Sequence, residues 1–223
     1  MFSDMDFMNY IVPIMTMLII VSAILHIRAE YLKRLRLIYI FKPLTTGFII
    51  LFGVLQTPAI SPAYKYLIVL GLISSLCGDI FLMLPSDQFI AGLVSFLIAH
   101  VFYILAFTRE FGFQFHLVFL MLAVLVGGIA FEAVLAHTGS LTAPVMLYTS
   151  VILVMLWQAL ERWHVSPTQS SILAFVGAAC FVFSDFTLAY NRFVREFKAA
   201  RFLILSTYYA AQWCLALSVK LLP

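Results

Sequence analysis

Two aspartates lie inside apolar stretches of this sequence, in matched surroundings. Gly71 precedes Asp79 by eight residues, and Gly177 precedes Asp185 by the same interval. A carboxylate at bilayer depth costs several kcal/mol unless it is paired, protonated or wetted, so such a residue is a functional hypothesis in itself. Two close carboxylates in a low dielectric cannot both ionise cheaply, so the pair holds one proton and offers both an acid and a base.

An aspartate pair of this kind can protonate a substrate carbon or oxygen while the ionised partner stabilises an oxocarbenium-like cation or orients water. Three other roles compete with this one. The aspartates can serve only helix packing, or relay protons in a transporter or lipid-binding protein. They can also hold a metal together with His100, although no close metal-ligand spacing such as His-x-x-x-His is present. We predict Asp79 and Asp185 as the catalytic pair, without a metal or cofactor.

Five further polar residues fall at depths where they can reach the aspartates. Lys42 lies early in the second apolar stretch, where it can either snorkel to the interface or join the site. His100 and Tyr103 are three residues apart and share a helix face. Tyr208 and Tyr209 lie in the last stretch, at a level where aromatic residues are also ordinary interfacial anchors. We predict that these five contact the substrate.

The composition predicts a polytopic helical membrane protein. Of the 223 residues, 64% are hydrophobic and 10% charged, whereas soluble domains carry about 25% charged residues. Long apolar runs with short breaks indicate helices rather than a barrel. We therefore predict one all-α membrane domain over 1–223 and no nucleic-acid binding. Its eight candidate helices lie near 7–26, 37–55, 64–84, 88–108, 114–136, 141–160, 170–190 and 201–220.

Charge placement predicts the orientation. The connections after the first and seventh spans carry eight Lys or Arg residues, whereas the opposite side holds four. The positive-inside rule therefore places both basic connections in the cytoplasm and both termini outside, in a bacterial inner (plasma) membrane. The N-terminus lacks the basic region of a cleavable signal, so the first span should remain. The three cysteines fall in apolar runs and are odd in number, which argues against a disulfide framework.

This orientation places the two aspartates at one level. Both lie about 7.5 Å from the cytoplasmic ends of their helices, at 1.5 Å per residue. The offset of 106 residues that carries Asp79 onto Asp185 also carries Tyr103 onto Tyr209. The pattern suggests four helices duplicated in parallel about an axis along the membrane normal, which would bring the aspartates face to face.

Several motifs resemble those of the YhhN-type lysoplasmalogenase family. They are Phe-Lys-Pro-Leu at 41–44, Gly-Asp at 78–79, a stretch at 89–103 ending in Ala-His-Val-Phe-Tyr, and Phe-Ser-Asp-Phe-Thr-Leu-Ala-Tyr-Asn at 183–191. The resemblance covers about 37–220 and places family motif residues at Lys42, Asp79, His100, Tyr103 and Asp185. It implies an eight-helix membrane hydrolase that cleaves the vinyl ether bond of lysoplasmalogens, releasing a fatty aldehyde and a glycerophospho-base.

This activity agrees with the chemistry expected of the residues. Vinyl ether hydrolysis needs a proton delivered to carbon and then water, without a covalent nucleophile. The expected partners are a lysophospholipid substrate and membrane lipids, with Lys42 and the basic connections near the phosphate. A proton-coupled transporter or lipid-binding protein using the same carboxylates is the alternative, and the oligomeric state is left open.

Overall fold

The structure, a computed structural model, describes residues 4–220, with side chains from residue 10 onward except that of residue 131. All eight predicted helices are present in this part of the chain, and no helix pair is joined by a long loop. They are α1 (Asp4–Tyr31), α2 (Leu35–Leu55), α3 (Pro62–Met83), α4 (Phe89–Phe107), α5 (Leu117–Val134), α6 (Thr142–Val165), α7 (Gln169–Ala189) and α8 (Ala200–Leu217). A π-helical turn, Tyr190–Val194, extends α7.

Local sequence sets the start of two of the helices that carry the site. Ser61 caps α3 by accepting a hydrogen bond from the Tyr64 backbone N–H, and Pro62 occupies the first turn, where its missing donor costs nothing. Thr168 and Ser171 form a reciprocal capping box at the start of α7. Both starts are therefore fixed, and with them the depth of the aspartates four residues before the ends of these helices.

The basic connections meet on one face of the bundle. The Tyr31 hydroxyl donates to the Lys198 carbonyl at 2.9 Å and accepts from the Phe202 backbone N–H at 3.3 Å. Arg192 pairs with Asp87 of the α3–α4 connection, at 3.1 Å. We call this the basic face, formed by the connections at 32–34, 84–88 and 195–199. The predicted clustering of the basic connections on one side is thus present.

Helix α8 runs from the basic face to the opposite one through the middle of the bundle. Its far end meets the α2–α3 connection, where the Ile60 backbone N–H donates to the Val219 carbonyl at 3.1 Å. Nine of its 18 residues are buried, and its neighbours are α7, α2, α1 and α3. The other seven helices are long and apolar enough to cross a membrane. The chain is therefore an integral, multi-pass helical bundle.

Two glycines let helices approach closely around the site. A Cβ on Gly71 would lie 2.2 Å from the Tyr103 ring, so α4 packs directly against α3 there. A Cβ on Gly177 would lie 3.1 Å from the Ala211 carbonyl oxygen of α8. The two glycines thus have different partners: the Tyr103 ring for Gly71, and the Leu215 side chain with the Ala211 backbone for Gly177. The duplication of a four-helix unit stays a prediction.

Candidate functional site

A cavity of about 700 Å³ lies between α2, α3, α4, α7 and α8, with the end of α1 at its edge, and both aspartates line it. Its lining includes Leu35, Arg192 and Glu196, so it reaches the basic face. Lys42 and Tyr208 also contribute to its wall. The sequence prediction that the two aspartates share one level is consistent with this common cavity.

Asp79 is the deeper carboxylate and is held on several sides. It is 2% exposed. Its Oδ2 accepts hydrogen bonds from the Thr46 hydroxyl at 2.6 Å and from the Tyr208 hydroxyl at 2.7 Å. The Lys42 ammonium lies 3.6 Å from its Oδ1. The ammonium partner and the two hydroxyl donors favour the ionised carboxylate, whereas its burial favours the neutral acid.

A chain of hydrogen bonds continues from Asp79 away from the cavity. The Gln212 amide donates to the Tyr208 hydroxyl at 3.1 Å, and the Tyr103 hydroxyl donates to the Gln212 carbonyl oxygen at 2.9 Å. All of these side chains are buried. Each group in the chain thus has a partner, which fixes the direction of every hydroxyl and orients Tyr208 toward Asp79.

Asp185 differs from Asp79 in both exposure and partners. It is half-buried at the cavity wall, and its Oδ2 accepts a short hydrogen bond from the Tyr148 hydroxyl. Within the described residues its Oδ1 has no hydrogen-bond partner, and no Lys or Arg pairs with it. Asp185 is therefore the carboxyl group with an oxygen available to a ligand.

A narrow apolar crevice of about 80 Å³ adjoins the cavity and lies between α4, α5, α6 and α7. Asp185 lines both spaces, and Tyr148 lines the crevice. Nearly all other residues around the crevice are apolar, among them Leu93, Val126 and Ile152. Asp185 thus lies at the boundary between the cavity and the apolar crevice.

Of the five predicted substrate contacts, two line the cavity and three do not. Lys42 and Tyr208 line the cavity, whereas His100, Tyr103 and Tyr209 are absent from its lining. His100 is fully buried, with its ring centroid 5.2 Å from that of Tyr148. Neither of its nitrogens has a hydrogen-bond partner among residues 4–220. Tyr209 turns toward α1, where its hydroxyl lies 2.8 Å from His26 Nδ1.

Three residues that sequence reasoning passed over belong to this region. Tyr148 holds Asp185, Glu30 lines the cavity, and His26 lies against Tyr209. The sequence contained a signal for His26 and Glu30, because a His and a Glu four residues apart share a helix face. The sequence also contained a signal for Tyr148, because this polar side chain lies well inside an apolar stretch rather than at its end.

The described residues offer little support for a metal at this site. No group of three or more His, Cys, Asp and Glu side chains in this part of the chain is arranged to hold an ion. His100, the third ligand of that hypothesis, packs against the rings of Tyr148 and Phe181. The polar groups that line the cavity are carboxyl, hydroxyl, amide, ammonium and guanidinium groups.

Comparison with known proteins connects this arrangement to a family. The YhhN family profile matches residues 37–219. The membrane protein YhhN of Escherichia coli O6:H1 is 27% identical over 200 residues, which cover 90% of this chain and 95% of that protein. Lysoplasmalogenase TMEM86A of Bos taurus is 34% identical over 163 residues, covering 68% of this chain and 64% of that protein. Lysoplasmalogenase TMEM86B of Homo sapiens is 32% identical over 173 residues, covering 77% and 71%. No solved structure matches.

Proposed function

Because the chain belongs to the YhhN family, we propose that it is a membrane hydrolase that cleaves the vinyl ether bond of 1-alkenyl lysophospholipids. The products are a fatty aldehyde and a glycerophospho-base. Similarity to proteins named lysoplasmalogenases, over about two thirds or more of this chain, supports the substrate class. We further propose a bacterial inner membrane, with the basic face in the cytoplasm and both termini outside.

The position of Asp185 is the observation that carries this proposal. In a lysoplasmalogen the vinyl ether joins an apolar chain to a polar glycerol phosphate, so its cleavage site is a boundary between two kinds of surface. Asp185 lies on the corresponding boundary, between the cavity and the apolar crevice. A lipid with its double bond at the crevice, which at about 80 Å³ has room for only a few chain carbons, and with its head group toward Arg192 and Arg201, would place the ether oxygen beside this carboxyl.

The reaction follows from general acid–base chemistry. Protonated Asp185 delivers its proton to the outer carbon of the double bond, and the inner carbon becomes an oxocarbenium ion. Water adds to that carbon and gives up a proton to the Asp185 carboxylate, forming a hemiacetal. The hemiacetal collapses to aldehyde and the glycerol hydroxyl, so one water is consumed and Asp185 regains its proton.

Asp79 takes the electrostatic role in this scheme. Its pairing with Lys42 and its two hydroxyl donors suit it to remain ionised. A fixed negative charge lining the same cavity stabilises the oxocarbenium ion, and such preorganised charge acts strongly where water is scarce. The two aspartates thus have different tasks, acid for Asp185 and charge for Asp79.

The one-sided form of the cavity favours a hydrolase over a transporter. A transporter must expose its site to both faces in turn. Toward the opposite face this bundle is filled by fully buried side chains, among them Phe52, Leu72 and Leu215. The cavity itself reaches the basic face, because Arg192 and Glu196 are part of its lining.

Aldehyde release from purified protein in detergent micelles tests the proposal. We expect turnover of an alkenyl lysolipid without a membrane gradient, and loss of turnover in Asp185→Asn. The ester lysolipid with the same chain and head group is the matched control substrate. Absence of aldehyde from folded wild-type protein, or equal cleavage of the ester, would refute the assignment.

A further inference from the structure

We propose that Glu30 binds the ammonium group of an ethanolamine head group, so that α1 takes part in choosing the substrate. This inference rests on the proposed function, because it concerns the head-group end of the same cavity. The family profile begins at residue 37. Helix α1 and its Glu30 therefore lie outside the matched region, and the argument comes from their contacts alone.

Glu30 is a cavity-lining carboxylate that makes two ionic contacts but, within the described residues, no hydrogen bond. Its Oε2 lies 3.7 Å from Arg201 Nη1, and its Oε1 lies 3.6 Å from His26 Nε2. Both distances are longer than a hydrogen bond, and no hydrogen bond to Glu30 is formed within the described residues. Its side chain is 16% exposed. A largely buried carboxylate whose ionic neighbours lie beyond hydrogen-bond distance can still accept a hydrogen bond from a ligand donor.

The His26 ring lies behind this carboxylate, on the side away from Arg201. It is fully buried, and its Nδ1 lies 2.8 Å from the Tyr209 hydroxyl. The other ring nitrogen, Nε2, faces Glu30 and has no hydrogen-bond partner among residues 4–220. Glu30 therefore faces the cavity between a buried ring on one side and Arg201 on the other.

The charges around the mouth match a head group that carries both signs. Arg192 and Arg201 line the cavity and pair with Asp87 and Glu30, respectively. A guanidinium group has five N–H donors, so each can also donate to a phosphate. Glu30 and Glu196 line the same space and offer carboxylates to a cation. An ethanolamine phosphate presents these two charges a few bonds apart, so one ligand satisfies both sets.

The surroundings favour a primary ammonium over a trimethylammonium. A primary ammonium donates three hydrogen bonds, which carboxylates accept, whereas a quaternary one donates none and is recognised by open aromatic faces. The Arg192 guanidinium already covers the Phe89 ring, with 4.0 Å from its Cζ to the ring centroid. It also lies 5.8 Å from the Phe193 ring. Two of the aromatic faces that line the cavity are therefore occupied.

Binding of saturated 1-alkyl lysolipids tests this without requiring turnover. Isothermal titration in detergent would compare head groups of phosphoethanolamine, phosphocholine and bare phosphate on one chain. We expect wild-type protein to prefer ethanolamine. Glu30→Gln should bind the ethanolamine lipid about tenfold more weakly, as expected for loss of one partly screened charged hydrogen bond. The same variant should bind the phosphate lipid equally or more tightly, because a repelling charge is gone.

Glu132→Gln is the matched control, since Glu132 is exposed on α5 and absent from the cavity lining. It should leave all three affinities unchanged. Equal weakening of all three lipids in Glu30→Gln, or an unchanged ethanolamine preference, would overturn the role of Glu30. Aldehyde release is measured separately, so a protein that shows the head-group preference but cleaves no vinyl ether would refute the proposed function and leave this inference standing.

Discussion

Replacing Tyr148 by Phe isolates the contact that distinguishes Asp185 from an ordinary buried carboxyl. The substitution removes only the hydroxyl that donates to Asp185 Oδ2. It keeps the ring that packs against His100 and lines the apolar crevice. The shape of the chain-binding space should therefore survive, and the change should act on the chemistry.

The size of the effect follows from the hydrogen bond that is lost. A hydrogen bond to a charged group contributes about 1.5–3 kcal/mol. Once Asp185 has delivered its proton, the hydroxyl stabilises the carboxylate that remains, so its removal raises the barrier rather than weakening binding. We expect kcat to fall about tenfold to hundredfold with KM little changed. Asp185→Asn should lose more, about 10²–10⁴-fold, because an amide cannot deliver the proton.

The assay is aldehyde release from an alkenyl lysolipid, coupled to reduction of the aldehyde by NADH. Tyr66→Phe is the matched control, because Tyr66 is 67% exposed on the outside of α3. Thermal unfolding of each variant shows whether the fold is kept. A folded Tyr148→Phe protein with wild-type kcat, or one that changes KM alone, would refute the role of Tyr148 in setting up the acid.

Three further predictions follow from the same geometry. Lys42→Met should lower kcat more than it raises KM, because the ammonium lies 3.6 Å from Asp79 rather than at the cavity mouth; kinetics showing mainly a higher KM would assign Lys42 to phosphate instead. Single cysteines at Arg34 and Arg195, in a cysteine-free background, should resist an impermeant maleimide in intact cells; rapid labelling would reverse the orientation. Saturated 1-alkyl lysolipids should inhibit competitively, since they lack the carbon to protonate, and two-chain plasmalogens should be poor substrates; turnover of a two-chain lipid equal to that of the lysolipid would contradict a single-chain crevice.

The parts of the fold that were predictable from sequence are those set by local pattern. Apolar length defines the helices, and all eight are present in the described part of the chain. Counting residues also placed each aspartate near the end of its helix, four residues before the ends of α3 and α7, whereas their shared level stays a prediction. Lys42 was recognised because a charge in an apolar stretch is conspicuous by itself, and it lies beside Asp79.

The parts that could not be predicted depend on how helices rotate against one another. Tyr209 and His26 are 183 residues apart in sequence, and Tyr148 and Asp185 are 37 apart. Which face of α1 meets α8 is decided by close packing over the whole bundle, which a hydropathy pattern does not encode. For His100 the sequence predicted a substrate contact, but it could not show that the ring packs against Tyr148 and is absent from the cavity lining.

The polarity of α8 links the fold to the site. Its tyrosines and glutamine lower its hydropathy, and each has a partner on another helix: Tyr208 on Asp79, Tyr209 on His26 and Gln212 on Tyr103. In lipid these groups would lack partners, so α8 is stable only when the surrounding helices enclose it. Removing a buried partner leaves an unsatisfied group that costs about 1–3 kcal/mol. Loss of activity on changing Tyr103 therefore reports the stability of the core, whereas loss on changing Asp185, whose free oxygen faces the cavity, reports the chemistry.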